Sequence, residues 1–141
     1  MRVVLDPNVI ISALLSSTGA PAEILRSWSA GAFELIVSPQ LRAELERALA
    51  YPKLRSRVTA HDAERFLRWL ERSATQTRDP GEAASIRSPD PGDDYLLALA
   101  ANERAALVSG DGHLLSLAAE VPIFSPRDFL AFLADRSNVD S

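Results

Sequence analysis

The sequence contains no cysteine, which excludes disulfides, thiolate zinc sites, iron–sulfur clusters and cysteine nucleophiles. Aromatic residues make up only 6% of the chain, and Lys53 is the only lysine. No GxxxxGK[ST] or GxGxxG occurs, so loops that cradle nucleotide phosphates are excluded. Ser12, Ser16 and Ser17 lie in no GxSxG elbow and lack that route to nucleophilic catalysis. No apolar stretch approaches the roughly 18 residues of a membrane span. The opening MRVVLDPNVIISALL carries Asp6 inside its apolar run and has neither a basic lead nor a cleavage site, so it does not read as a signal peptide. The expectation is a cytoplasmic protein without membrane association.

What remains is an ordinary globular composition, 47% hydrophobic and 24% charged over 141 residues. That length suits one domain with its own core. The net charge of −4 argues mildly against a nucleic-acid binder, but its distribution is uneven. Residues 1–38 carry −1, residues 39–78 carry +4 and residues 79–141 carry −7. A basic middle thus precedes an acidic C-terminal half. Charge runs of this kind are usually solvated faces, so the placement of the acids has to decide.

Short apolar runs bounded by turn residues, at 2–5, 33–37, 106–108 and 122–124, read as strands buried on both faces. A fifth, weaker strand is signalled at Thr75 to Arg78. Helical patterns lie between them. Ser38-Pro39 opens one with periodic Leu41, Leu45 and Leu49; His61 to Ala74 carries Phe66, Leu67 and Leu70 on one face. Asp94 to Asn102 is apolar almost all round, and Ser125-Pro126 starts a last helix over Arg127 to Ala134. Residues 85–92 read as an exposed loop. The alternation predicts an α/β fold on a five-stranded parallel sheet. Residues 1–135 are expected to form one domain, with a frayed tail over 136–141.

In an open parallel sheet, ligands bind beyond the carboxyl ends of the strands. Asp6 directly follows the first strand, and Asp111 follows 106–108 after Ser109 and Gly110. Asp93 and Asp94 open the apolar helix, and Glu44 precedes core-facing Leu45. Each acid alone has an equally good bland reading. Asp6 suits an Asx-turn, Asp94 a helix cap, Asp111 a turn and Glu44 a solvated helix face. Their recurrence at the ends of separate elements favours a shared site. Converging carboxylates repel, and a cation relieves them. Oxygen-only donors suit Mg²⁺ or Mn²⁺ rather than zinc. Such ions activate water against a phosphodiester, leaving Arg42, Arg47, Lys53, Arg55 and Arg57 available to phosphates.

The stretches VVLDPNVIISALL, SPQLRAELERAL, DDYLLALA and LVSGDGHLL, in this order and spacing, resemble the PIN-domain ribonucleases, in particular toxin components of bacterial toxin–antitoxin pairs (VapC-like). The resemblance spans about residues 2 to 133. It implies a PIN-like three-layer α/β/α sandwich around a five-stranded parallel sheet, and a metal-dependent endoribonuclease, commonly a homodimer, held inactive by an antitoxin partner. It maps catalytic and metal-binding roles onto Asp6, Glu44, Asp94 and Asp111, with one or two Mg²⁺ or Mn²⁺ ions. Asp93 becomes an accessory metal carboxylate. Ser109 stands where the family has Thr or Ser, and Pro7 replaces its more frequent Thr or Ser. Asn8 either supports the site or caps a helix.

Other readings are weaker on the residues themselves. A response-regulator receiver needs a lysine near its last strand, and a haloacid-dehalogenase phosphatase needs Asp where Asn8 stands. His61 and His113 read as surface residues, Trp28 and Trp69 as core or dimer contacts. The alternative of a different class is a non-catalytic PIN-like module that acts by forming complexes with protein or nucleic acid.

Overall fold

The structure, a computed structural model, describes residues 1–80, 94–115 and 122–140, the side chains at 94, 113 and 137–140 apart. Five parallel strands make one sheet: β1 (Arg2–Leu5), β2 (Glu34–Val37), β3 (Thr75–Gln76), β4 (Ala106–Val108) and β5 (Ile123–Phe124). Their spatial order is β3-β2-β1-β4-β5, so the chain steps outward from β1 in one direction, then returns to its other side. The strands come from the apolar runs read in the sequence. Val3, Val4 and Leu5 are fully buried, as continuous β-branched and aliphatic runs are when helices cover both faces of a sheet. The weak strand signal at 75–78 resolves into the two-residue edge strand β3, registered Ile36 to Thr75 and Val37 to Gln76.

Helices fill the connections: α1 (Pro7–Leu15), α2 (Ala20–Ser29), α3 (Pro39–Leu49), α4 (Pro52–Arg55), α5 (Ala60–Ser73), α6 (Asp94–Asn102), α7 (Gly112–Leu115) and α8 (Pro126–Asp140). The arrangement is a three-layer PIN-like α/β/α sandwich. α3 starts as the sequence predicts, with the Ser38 hydroxyl accepting from the Leu41 N–H and proline at the first helical position. Gly19 supplies the left-handed φ of +100° that turns the chain into α2, a conformation that strains residues bearing a Cβ. α2 packs against α1 and α8, α3 against α1 and α5, and α6 against β1 and β4. Trp28 on α2 is buried and meets Trp69 on α5 with ring centroids 4.6 Å apart, which makes the pair a packing contact. Phe129 of α8 is fully buried and meets Phe33 edge-on.

Two differences from the sequence reading stand out. The short α4 follows Tyr51 in a stretch whose own periodicity is too brief to signal a helix. α8 runs to Asp140, past Ala134 and through the tail expected to fray, because neither glycine nor proline follows Pro126 to stop it. The loop read at 85–92 lies outside the described residues.

Candidate functional site

The strand order reverses at β1, so the crevice expected of such a sheet opens at the carboxyl end of that strand. Asp6 occupies this position and is only 5% exposed. Its backbone N–H donates to the carbonyl of Val108 at 2.9 Å, which ties the end of β1 to the end of β4. Its side chain does two things at once. Oδ1 accepts from the Asn8 N–H at 2.9 Å, making Asp6 the N-cap of α1, with Pro7 at the first helical position. Oδ2 accepts from the fully buried Ser109 hydroxyl at 2.8 Å. Ser109 Oγ in turn accepts from the Asp111 N–H at 3.0 Å, which fixes the turn after β4 to the same carboxylate.

Burial is the main cause that pushes the Asp6 pKa above the usual carboxylate value. The hydrogen bonds from Asn8 and Ser109 pull it back, and Glu44 and Asp111 raise it further by repulsion. Asp6, at the end of β1, therefore senses two acids that come from the middle of α3 and the turn after β4.

They are divided over two hollows that share Asp6 and Asn8. One, of about 370 Å³, is lined by these two with Ser12, Gly110 and Asp111 among others. The second, of about 290 Å³, is lined by the same two with Glu44, Arg47, Tyr51 and Leu96 among others. Glu44 accepts a hydrogen bond from the Tyr95 hydroxyl on α6. Among the described residues, no three Asp, Glu or His side chains stand close enough together to form a metal cluster. The donor chemistry nonetheless fits a hard divalent ion. The donors are all oxygen, and the central one is a buried carboxylate whose charge burial and two acidic neighbours disfavour, which a cation would relieve.

The other sequence-derived residues fall as follows. Asp94 is the first residue of α6, at the helix N-terminus, but its side chain is not described; Asp93 lies outside the described residues. Asn8 is not a cap: Asp6 is, and the exposed Asn8 side chain faces both hollows. Of the five basic residues expected to meet RNA, only Arg47 lines either of these two hollows. Arg42 is held by Glu46 at 3.0 Å and Glu71 at 3.1 Å, on the α3 face that meets α5. Arg57 donates to the Leu15 carbonyl at 3.0 Å, and Lys53 and Arg55 are exposed on α4. The sequence reading overlooked Tyr51 and Tyr95. Tyr95 had one signal, a lone hydroxyl on an otherwise apolar helix; Tyr51 had none beyond its place before Pro52.

A sequence-family model described as PIN domain matches residues 2–113. Among solved structures, the fold is similar to that of PAE2754 from Pyrobaculum aerophilum, at 20% identity, with 96% of this chain and 90% of that chain covered and a TM-score of 0.65. It is also similar to FitAcB from Neisseria gonorrhoeae, at 20% identity, covering 88% of this chain and 97% of that one, with a TM-score of 0.55. At such identity the likeness is one of fold. No curated protein matches the sequence.

Proposed function

The chain belongs to the PIN domain family, and from that premise we propose that it is a metal-dependent endoribonuclease that hydrolyses RNA phosphodiester bonds. The observation that carries the reading is Asp6. It is a buried carboxylate at the switch point of the sheet, anchored through both oxygens and under the electrostatic influence of Glu44 and Asp111. A side chain so placed is costly for folding alone.

Asp6, Glu44, Asp94 and Asp111 would hold one or two Mg²⁺ or Mn²⁺ ions, with Asp93 as an accessory carboxylate. When bound, the metal would supply an activated water for in-line attack and would neutralise charge at the leaving oxygen. The protein's own part is orientation. Ser109 and the Asn8 N–H fix the plane of the Asp6 carboxylate, and the Tyr95 hydroxyl fixes Glu44. Asn8 lines both hollows, where its amide would donate to a phosphate oxygen or to water. Arg47 brings positive charge to the hollow that holds Glu44, and the exposed Lys53 and Arg55 of α4 would add to the positive charge offered to RNA.

The resemblance of the motifs to toxin components further supports a role as the toxin of a toxin–antitoxin pair, with a cognate antitoxin as partner and a homodimer as the working form. No single helix among the described residues is long and apolar enough to cross a membrane; a cytoplasmic location is part of the proposal. The test is cleavage of a mixed structured RNA by the purified protein with Mn²⁺, with EDTA, and by the Asp94→Asn variant. Cleavage by the wild type in Mn²⁺ alone is expected. Metal-independent cleavage, or full activity of the variant, would sink the assignment. Absence of both cleavage and metal binding would favour a non-catalytic binding module.

A further inference from the structure

Among the described residues, Tyr51 is the one large apolar side chain left exposed, at 65%. Its position is not casual. It stands between α3 and α4 with its backbone pinned: its N–H donates to the Ala48 carbonyl at 3.2 Å, and its own carbonyl accepts from Leu54 and Arg55 at 3.0 Å. Its ring lines the hollow of about 290 Å³ that also contains Asp6, Asn8, Glu44 and Arg47. Neither the Tyr51 hydroxyl nor the Arg47 guanidinium has a hydrogen-bond or ion-pair partner among the described residues. Arg42, on the same helix, is by contrast consumed by Glu46 and Glu71. The same hollow is thus lined by an exposed aromatic residue, an uncommitted guanidinium and two carboxylates.

An exposed ring on a fixed backbone costs little further entropy when a flat partner stacks on it, and every nucleobase offers such a face. A guanidinium next to it answers the phosphate of the same nucleotide. A paired base has its faces covered by its neighbours in the duplex and cannot use the ring. We infer that Tyr51 and Arg47 form a clamp for one unpaired nucleotide, the ring stacking on its base and the guanidinium holding its phosphate. The inference rests on the endoribonuclease reading for its substrate, and it assigns to Tyr51 binding rather than chemistry.

The test separates the two readings. Binding of a short fluorescein-labelled oligoribonucleotide of mixed sequence is measured in EDTA, as a single strand and annealed to its complement, for wild type, Tyr51→Ala, Tyr51→Phe and Arg47→Gln. The wild type should bind the single strand more tightly than the duplex. Tyr51→Ala should weaken single-strand binding about 5- to 150-fold and Tyr51→Phe should restore it. Arg47→Gln should lower the slope of log affinity against log salt by about 0.7. Melting temperatures equal to wild type exclude misfolding as the cause. Single-strand affinity unchanged in Tyr51→Ala, or no preference for the single strand, overturns the clamp, even if the wild type cuts RNA in Mn²⁺. The full pattern without cleavage in Mn²⁺ would keep the clamp and reject the nuclease.

Discussion

Ser109→Ala is a small change with a calculable consequence. The hydroxyl is fully buried, donates to Asp6 Oδ2 at 2.8 Å and accepts from the Asp111 N–H at 3.0 Å. Removing one oxygen leaves almost no cavity, so hydrogen bonding dominates the loss. A bond to a charged acceptor contributes about 1.5–3 kcal/mol, and the Asp111 N–H loses its acceptor as well. The expected loss is about 2 kcal/mol at neutral pH, or about 6–8 °C in melting temperature for a domain of this size. The effect should depend on pH in a defined direction. The Ser109 bond lowers the Asp6 pKa, so the variant's folded pKa lies above that of the wild type. Between those two values the variant holds the proton and the wild type does not. The stability gap therefore widens as pH rises through this window and narrows as pH falls below it. In acid, where both proteins carry neutral Asp6, only a neutral hydrogen bond of about 1 kcal/mol is at stake. Urea denaturation of both proteins in EDTA, across the acid-to-neutral range, measures the gap directly. A gap that stays constant with pH, or none at all, would refute the view that Ser109 acts through the Asp6 charge.

Other outcomes follow from the same geometry. Asp6→Asn should raise the melting temperature of the metal-free protein at neutral pH, because it removes a buried charge repelled by Glu44 and Asp111. The gain should shrink in acid: a raised folded pKa gives stability that is fully present below the unfolded value and lost as pH rises through the folded one. Mn²⁺ should then reverse the order, since at about 100 times its dissociation constant it adds about 2.7 kcal/mol to the wild type and nothing to a variant that cannot bind it; thermal melts with and without Mn²⁺ decide. Arg42→Gln should cost under about 1 kcal/mol, because its two ion pairs are largely exposed, and should leave RNA cleavage at the wild-type rate. A large fall in cleavage would return Arg42 to the RNA path.

The strands were legible because Val3-Val4-Leu5, Leu35-Ile36-Val37 and Ala106-Leu107-Val108 are buried on both faces, and burial of that kind writes itself as unbroken apolar runs. The cap at Ser38 was legible as local chemistry, a hydroxyl before proline, whereas at the start of α1 the sequence suggested an Asx-turn at Asp6 and a cap at Asn8, and the cap is Asp6. The weakest strand, Thr75–Gln76, lies at the sheet edge, where burial no longer dictates composition. The acids could be placed at element ends, but their division between two hollows depends on how α3 and α6 settle on the sheet. The same holds for the partners that one-dimensional reading missed. Arg42 meets Glu71 and Glu44 meets Tyr95 across sequence gaps that only tertiary packing closes. Whether a basic residue is free for a ligand is therefore a property of its neighbours, and Arg42 and Arg47, on one helix, differ for that reason.

The most direct measurement is single-turnover cleavage of a mixed structured RNA in Mn²⁺ by wild type and by Asp6→Asn, with both proteins first shown by thermal melts to be folded. The expected result is cutting by the wild type that EDTA stops, and cleavage by Asp6→Asn no faster than RNA incubated without protein. Cutting by Asp6→Asn at the wild-type rate would contradict the claim that this buried carboxylate is the centre of a nuclease site.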